Sequence, residues 1–227
     1  MPTTDEPIRI RRGDLHGLAL ATYIPRRGRG ARHYQDTFSC ALWLAKLNVR
    51  LPDDGANAGE VYGAQWGHLL ARLVPSDCTC IAYPPAGRKR IAAGFYLAEH
   101  LARTVAADLD LPCVGLAWAR GGSESSKALV HHGGKGRALG RLARCPEDLT
   151  GDVVCIVDDL WTTGITGEVC STALRQAGAV TVTVVALAAT EATVDRPTEE
   201  RRRIDAKRQR QALRRQAQEG QCHRGEP

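Results

Sequence analysis

The sequence has 227 residues and a mass of 24.6 kDa, enough for one ordinary domain or a domain with a tail and too little for a large multidomain assembly. With 43% hydrophobic and 25% charged residues it can bury a core and is neither disordered nor collagen-like, while 5% aromatics argue against a stacking platform for single-stranded nucleic acid. The net charge of +6 sits mostly in residues 195–227, where ten Lys or Arg face six Asp or Glu, so the body (1–194) is near neutral and a basic tail gripping nucleic acid is disfavoured.

In chain order, residues 7–11 and 17–24 are expected to pair as a hairpin across Gly13-Asp14, and 25–32 to form a basic, glycine-containing loop. Arg9, Arg11 and Arg12 precede the apolar run 15–24, but His16, Thr22 and Tyr23 interrupt it and no clean cleavage site follows, so no signal peptide is expected. Tyr34, Phe38, Leu42 and Ala45 recur at helical spacing. Val61, Gln65, Trp66, Leu69, Leu70 and Leu73 do so again after a polar turn, up to Pro75. The first 60 residues or so read as an N-terminal subdomain.

Beyond this point the pattern becomes regular. Short apolar runs at 78–83, 113–118, 153–157 and 180–188 alternate with helical segments, which predicts a mostly parallel twisted sheet with helices on both faces and a ligand crevice beyond the strands' carboxyl ends. Residues 91–107 are expected to form one connecting helix, with Phe95, Ala98, Leu101, Ala102 and Val105 on its apolar side; 166–177 form the other, closed by Gly178. The longest nearly apolar stretch, 179–189, has eleven residues and two threonines, well short of the ~18 of a membrane span. Residues 120–147 carry six glycines, His131-His132 and several basic side chains, a length of loop that is usually functional or disordered.

Eight cysteines stand at 40, 78, 80, 113, 145, 155, 170 and 222, and none forms a C-x-x-C pair. Cys78 and Cys80 would share one face of a strand and could chelate loosely, but they read better as small core residues. The set fits a reducing cytoplasm better than a disulfide scaffold.

The stretch 153–166, VVCIVDDLWTTGIT, carries the chemistry. A hydrophobic strand is expected to end in Asp158 and Asp159. A turn rich in hydroxyls and glycine then opens a helix, offering backbone N–H groups, the hydroxyls of Thr162, Thr163 and Thr166, and the positive end of the helix dipole as a phosphate nest. Two carboxylates just before such a nest oppose an anion and need another partner. They can accept hydrogen bonds from vicinal sugar hydroxyls or orient a hydrated Mg²⁺. The combination reads as a ribose 5-phosphate site; the plain alternative is a strand-to-helix turn with solvated aspartates.

Asp158-Asp159-Leu-Trp-Thr-Thr-Gly-Ile-Thr166 resembles the phosphoribosyl diphosphate (PRPP) signature of type I phosphoribosyltransferases. Within that class, residues 34–190 resemble the ComF-like, amidophosphoribosyltransferase-related proteins: Pro84 near a strand end, basic residues at 88–90, Gly94-Phe95, Ala98-Glu99 and the early helix Ala41-Leu-Trp-Leu-Ala-Lys46 follow that pattern. The chain departs from it at Ala93, where the family has Arg, and at Tyr96-Leu97, where it has Asn-Gln. It also lacks the family's N-terminal zinc ribbon.

The resemblance implies a type I phosphoribosyltransferase-like fold that binds Mg²⁺ and PRPP. Asp158 and Asp159 would take the ribose hydroxyls and touch the metal only through water or ligand, and Thr162, Thr163, Gly164, Ile165 and Thr166 would hold the 5-phosphate. Pro84, Pro85, Ala86, Gly87 and Arg88 would hold pyrophosphate, with Lys89 and Arg90 nearby. The long segment 120–144 would be a mobile catalytic loop from which Lys127, Lys135 and Arg137 close over the leaving group and exclude water; His131 and His132 are weaker candidates for proton transfer. The implied reaction transfers 5-phosphoribosyl to a small-molecule nitrogen acceptor, in the cytoplasm, by a protein that need not be monomeric; a homodimer is compatible. A non-catalytic PRPP or nucleotide regulator, or a ComF-like role linked to DNA uptake, stays open beside it.

Overall fold

The computed structural model describes residues 6–24, 37–52, 55–119 and 143–190. The chain begins with an antiparallel hairpin, β1 (Ile8–Arg12) and β2 (Leu15–Tyr23), joined by Gly13-Asp14. Helices α1 (Thr37–Leu47) and α2 (Ala58–Ala71) follow, then β3 (Cys80–Tyr83), α3 (Arg88–Ala93), α4 (Leu97–Leu109), β4 (Cys113–Gly115), β5 (Ala117–Trp118), β6 (Ala143–Arg144), β7 (Val153–Trp161), α5 (Ile165–Gln176) and β8 (Thr181–Thr190). The main sheet has the order β1-β2-β8-β7-β3-β4, parallel throughout except for the β1-β2 pair, and β5 and β6 form a small separate antiparallel ribbon.

This is the expected α/β class, with helices on both faces. On one face Phe38, Leu42, Trp66, Leu70, Leu101 and Val105, from α1, α2 and α4, pack on Ile81, Cys155, Val157 and Val185 of the sheet. On the other, Val169, Cys170, Ala173 and Leu174 of α5 pack on Val154, Ile156, Val182 and Val184. The N-terminal hairpin belongs to the same sheet, because β2 pairs in parallel with β8.

Four local expectations are corrected. The helix expected over 91–107 is two helices: Gly94 takes a left-handed conformation at φ 67° and its N–H caps the carbonyl of Ile91, which turns the chain before α4 starts, so Ile91 is left 68% exposed. The strand expected over 113–118 divides at Leu116, whose N–H bonds the carbonyl of Tyr83 before the chain leaves the main sheet for the β5-β6 ribbon. In α2, Gln65 faces solvent, and the helix buries Gly59, Gly63 and Gly67. A Cβ at Gly67 would lie 2.5 Å from that of Thr104, and one at Gly63 would lie 2.4 Å from the His100 ring, so the stripe lets α2 and α4 approach closely. Lastly, Cys78 precedes β3 and joins the α4-side core while Cys80 joins the α5-side core; the two thiols share no face, and both are buried.

Candidate functional site

The sheet has a topological switch between β3 and β7. These strands are parallel neighbours, yet β3 connects through α3 and α4 to β4 on one side, and β7 connects through α5 to β8 on the other. Connections that diverge this way open a crevice at the carboxyl ends of the two strands, the usual ligand position in open α/β sheets. Residues 84–87 leave β3 on one rim of that crevice and residues 162–164 leave β7 on the other.

The expected strand ends at the acid pair, but β7 continues through Trp161. Inclusion in the strand separates the acids. Pairing of β7 with β8 runs from Val153↔Thr181 to Asp158↔Ala186 and resumes at Leu160↔Ala188. Before this interruption Val154 and Ile156 join the α5-side core and Cys155 and Val157 the other; beyond it Leu160 joins the α4-side core and Trp161 the α5-side core. The side-chain alternation therefore reverses beside the acids.

Both carboxylates are buried and their surroundings differ. Asp159 turns toward α1, where Lys46 Nζ donates to its Oδ1 at 2.6 Å. Lys46 is the penultimate residue of that helix, and Arg90 Nη1 of α3 donates to its carbonyl. Asp158 accepts the N–H of Asp159 at 2.8 Å on its own Oδ1. Burial, then the charge of Asp159, push its carboxyl up to about 7 against the pull of Lys46. Tyr96, just before α4, stands close enough to both acids to sense them: burial and the two carboxylates raise its phenol above the ordinary range, so it presents a neutral hydroxyl.

Behind the acids, Thr162, Thr163 and Gly164 form the turn and Ile165 and Thr166 open α5. Gly164 has φ 73°, and a Cβ there would meet the Trp161 ring at 2.6 Å and Arg12 Cδ at 2.7 Å, so the position requires glycine. The turn's carbonyls are held from outside: Thr190 Oγ1 donates to the Thr162 carbonyl at 3.1 Å, and Arg12 Nη1 to the Thr163 carbonyl at 2.7 Å. Thr163 Oγ1 faces the N–H of Ile165 at 3.5 Å. The first N–H groups of α5 have no partners within the helix, and with the dipole they favour an anion.

On the opposite rim, Pro84 and Pro85 are buried and Ala86 and Gly87 half-buried. Proline has no N–H, so Ala86 and Gly87 are the residues of 84–87 that can offer backbone donors. The indole Nε1 of Trp118 donates to the Ala86 carbonyl at 3.1 Å. Arg88 begins α3, but its side chain and that of Lys89 lie outside the described part. Lys127, His131, His132, Lys135 and Arg137 also lie outside the described residues, as does the tail. The topology thus places Asp158, Asp159, the 162–166 turn and the 84–87 turn at the carboxyl edge of the same two neighbouring strands. Lys46, Tyr96, Arg12 and Thr190 reach the site from distant segments; Lys46 and Tyr96 lie in stretches that the family resemblance touches, but no local pattern gives any of the four this role.

Among the described residues no cluster of three or more His, Cys, Asp or Glu could hold a metal ion, and no helix is long and apolar enough to cross a membrane. The acid pair does not form a chelate of its own, since Lys46 occupies one oxygen of Asp159 and a backbone N–H one oxygen of Asp158. The remaining oxygens fit a hydrated Mg²⁺ that arrives on a ligand.

No family model and no curated relative matches the chain by sequence. Among solved structures, it is similar to the allosteric regulatory enzyme of purine biosynthesis, with TM-score 0.43 and 22% identity over 63% of this chain and 30% of that one. A purine phosphoribosyltransferase from Pyrococcus horikoshii gives TM-score 0.38 and 20% identity over 60% and 79% of the two chains. A hypoxanthine phosphoribosyltransferase from Staphylococcus aureus gives 0.37 and 12% over 61% and 68%. The matched part of the chain spans under a third of the first of these proteins. These likenesses concern the course of strands and helices; what the crevice can do chemically is a matter of its own residues.

Proposed function

We propose that the chain is a phosphoribosyltransferase of the type I class, ComF-like within it, that transfers the 5-phosphoribosyl group from PRPP to a nitrogen acceptor and releases pyrophosphate. The observation that carries this reading is the exit of β7, where two buried carboxylates are followed, after Leu160-Trp161, by a Thr-Thr-Gly turn and a helix amino end at the topological switch. The 162–166 turn holds the 5-phosphate on its N–H groups and hydroxyls. Free oxygens of Asp158 and Asp159 accept from the ribose hydroxyls, and Ala86 and Gly87 bind the pyrophosphate across the crevice. Mg²⁺, when bound on the pyrophosphate, neutralises its charge.

The C1–O bond to pyrophosphate breaks as the acceptor nitrogen's lone pair forms the C1–N bond; the electron pair leaves with pyrophosphate and the nitrogen's proton passes to solvent or a base. The chain's residues hold the reacting groups in line and stabilise developing charge, without a covalent intermediate. Lys127, Lys135 and Arg137 supply positive charge to the leaving pyrophosphate, the body 1–194 is sufficient for binding, and the protein acts in the cytoplasm.

A second reading, a PRPP-binding regulator without turnover, is favoured by one feature: Pro84-Pro85 remove two N–H donors from the pyrophosphate turn. Calorimetry and thermal unfolding with Mg-PRPP test both. PRPP at a hundred times its Kd is expected to stabilise the fold by about 2.7 kcal/mol, with ATP and ribose doing much less. No PRPP-dependent shift at millimolar ligand sinks both readings, and binding without pyrophosphate release across a panel of bases and amines selects the regulator.

A further inference from the structure

We propose that Arg12, at the end of the first strand, is a positioning residue that sets the phosphate turn in its binding conformation; this rests on the reading of the β7 exit as a 5-phosphate site. Three contacts converge on its side chain. Nη1 donates to the carbonyl of Thr163 at 2.7 Å, Nε donates to Oε2 of Glu168 at 2.6 Å, and the aliphatic stem lies against Gly164, where any Cβ would collide with it. One planar guanidinium thus spans the turn and the first turn of α5, and its fork has the geometry to fix both at once.

The consequence follows from the peptide unit. A trans peptide directs its C=O and the next residue's N–H in opposite directions. Thr190 holds the carbonyl of Thr162, and Arg12 that of Thr163; with these carbonyls fixed, the N–H groups of Thr163 and Gly164 point away from those partners and are available to an anion. Arg12 has a second effect on the same anion. Glu168 lies in the first turn of α5, where its charge suits the helix dipole but repels a phosphate at the helix end, and the ion pair with Arg12 offsets that repulsion. An arginine 151 residues away in sequence from Thr163 therefore both aims the donors and screens the acid behind them.

The test uses full-length wild type, Arg12→Met and Arg12→Lys, titrated calorimetrically with ribose 5-phosphate and with inorganic pyrophosphate. Arg12→Met is expected to weaken ribose 5-phosphate by about ten- to a hundredfold, the loss of a charge-assisted contact, and to leave pyrophosphate unchanged. A merely structural role would weaken both ligands together and overturn the proposal. Arg12→Lys restores a point charge without the fork and is expected to stay close to Arg12→Met; recovery to wild-type affinity would mean that charge alone matters. If wild type binds no sugar phosphate, the functional reading fails while the positioning is still read by ¹⁵N relaxation. Amide order parameters of Thr163 and Gly164 are expected to fall in Arg12→Met from about 0.85 to below about 0.6 with those of 153–161 unchanged, and equal values in the two proteins overturn the proposal.

Discussion

Asp158 and Asp159 are neighbours on one strand and occupy two different regions of the molecule. Asp159 lies on the side of α1, α2 and α4 and has an ammonium at 2.6 Å. Asp158 stands near Cys170 of α5, whose thiol its charge helps to push up after burial itself, and its Oδ1 partner is a backbone N–H. Equal burial therefore yields unequal chemistry. Asp159 is paired with an ammonium, while burial and then the neighbouring charge of Asp159 push the Asp158 carboxyl up to about 7, outweighing its backbone N–H donors. In the proposed reaction this gives the crevice one carboxylate tied to a lysine and one group that can exchange a proton near neutrality.

The largest test of that contrast removes the ammonium. Lys46→Met leaves Asp159 buried without its ion pair and is expected to cost about 3 kcal/mol in urea unfolding, the low end for a broken buried pair because both groups keep some solvent contact. Lys46→Met with Asp159→Asn should regain most of it. Equal losses in the single and double variants would show that the lysine matters as packing and not as a charge.

Asp158→Asn sharpens the other half. Because the folded carboxyl titrates above its unfolded range, wild-type stability is full below about pH 4 and is lost as pH rises to about 7. The Asn variant has no such slope, so it should exceed wild type at pH 8, with the gap closing toward pH 4. A gap independent of pH would mean that Asp158 is charged throughout.

The smallest effect concerns the turn that both acids precede. Thr190→Val frees the Thr162 carbonyl on an exposed surface and should cost about 0.5 kcal/mol in thermal unfolding. A loss comparable to that of Lys46→Met would place the turn's anchoring on a par with the buried pair.

Several parts of this molecule were legible from residue order alone. The hairpin across Gly13-Asp14, the α/β alternation and the helix opening after Thr-Thr-Gly all depend on contacts within a few residues, and periodicity and turn chemistry report those directly. Local pattern failed where a tertiary neighbour took over. Apolar residues on both sides of Gly94 masked the break between α3 and α4. The glycine face of α2 went unseen because a stripe of small residues has no hydrophobic signature, only a partner helix that needs the space. The acid pair stood out as a motif, yet its division between two faces depends on how β7 pairs with β8.

The sequence by itself determined the class of fold and the group of residues at the end of β7, because hydrophobic period and the strand–turn–helix order are properties of a short stretch of chain. Only the tertiary structure decided that Lys46 neutralises Asp159 across 113 positions, that Asp158 is left with a backbone partner, and that Arg12 reaches the phosphate turn from the first hairpin. Charges and hydrogen bonds act through a few ångströms of space, and sheet order, set by burial of both faces at once, brings distant segments within that range.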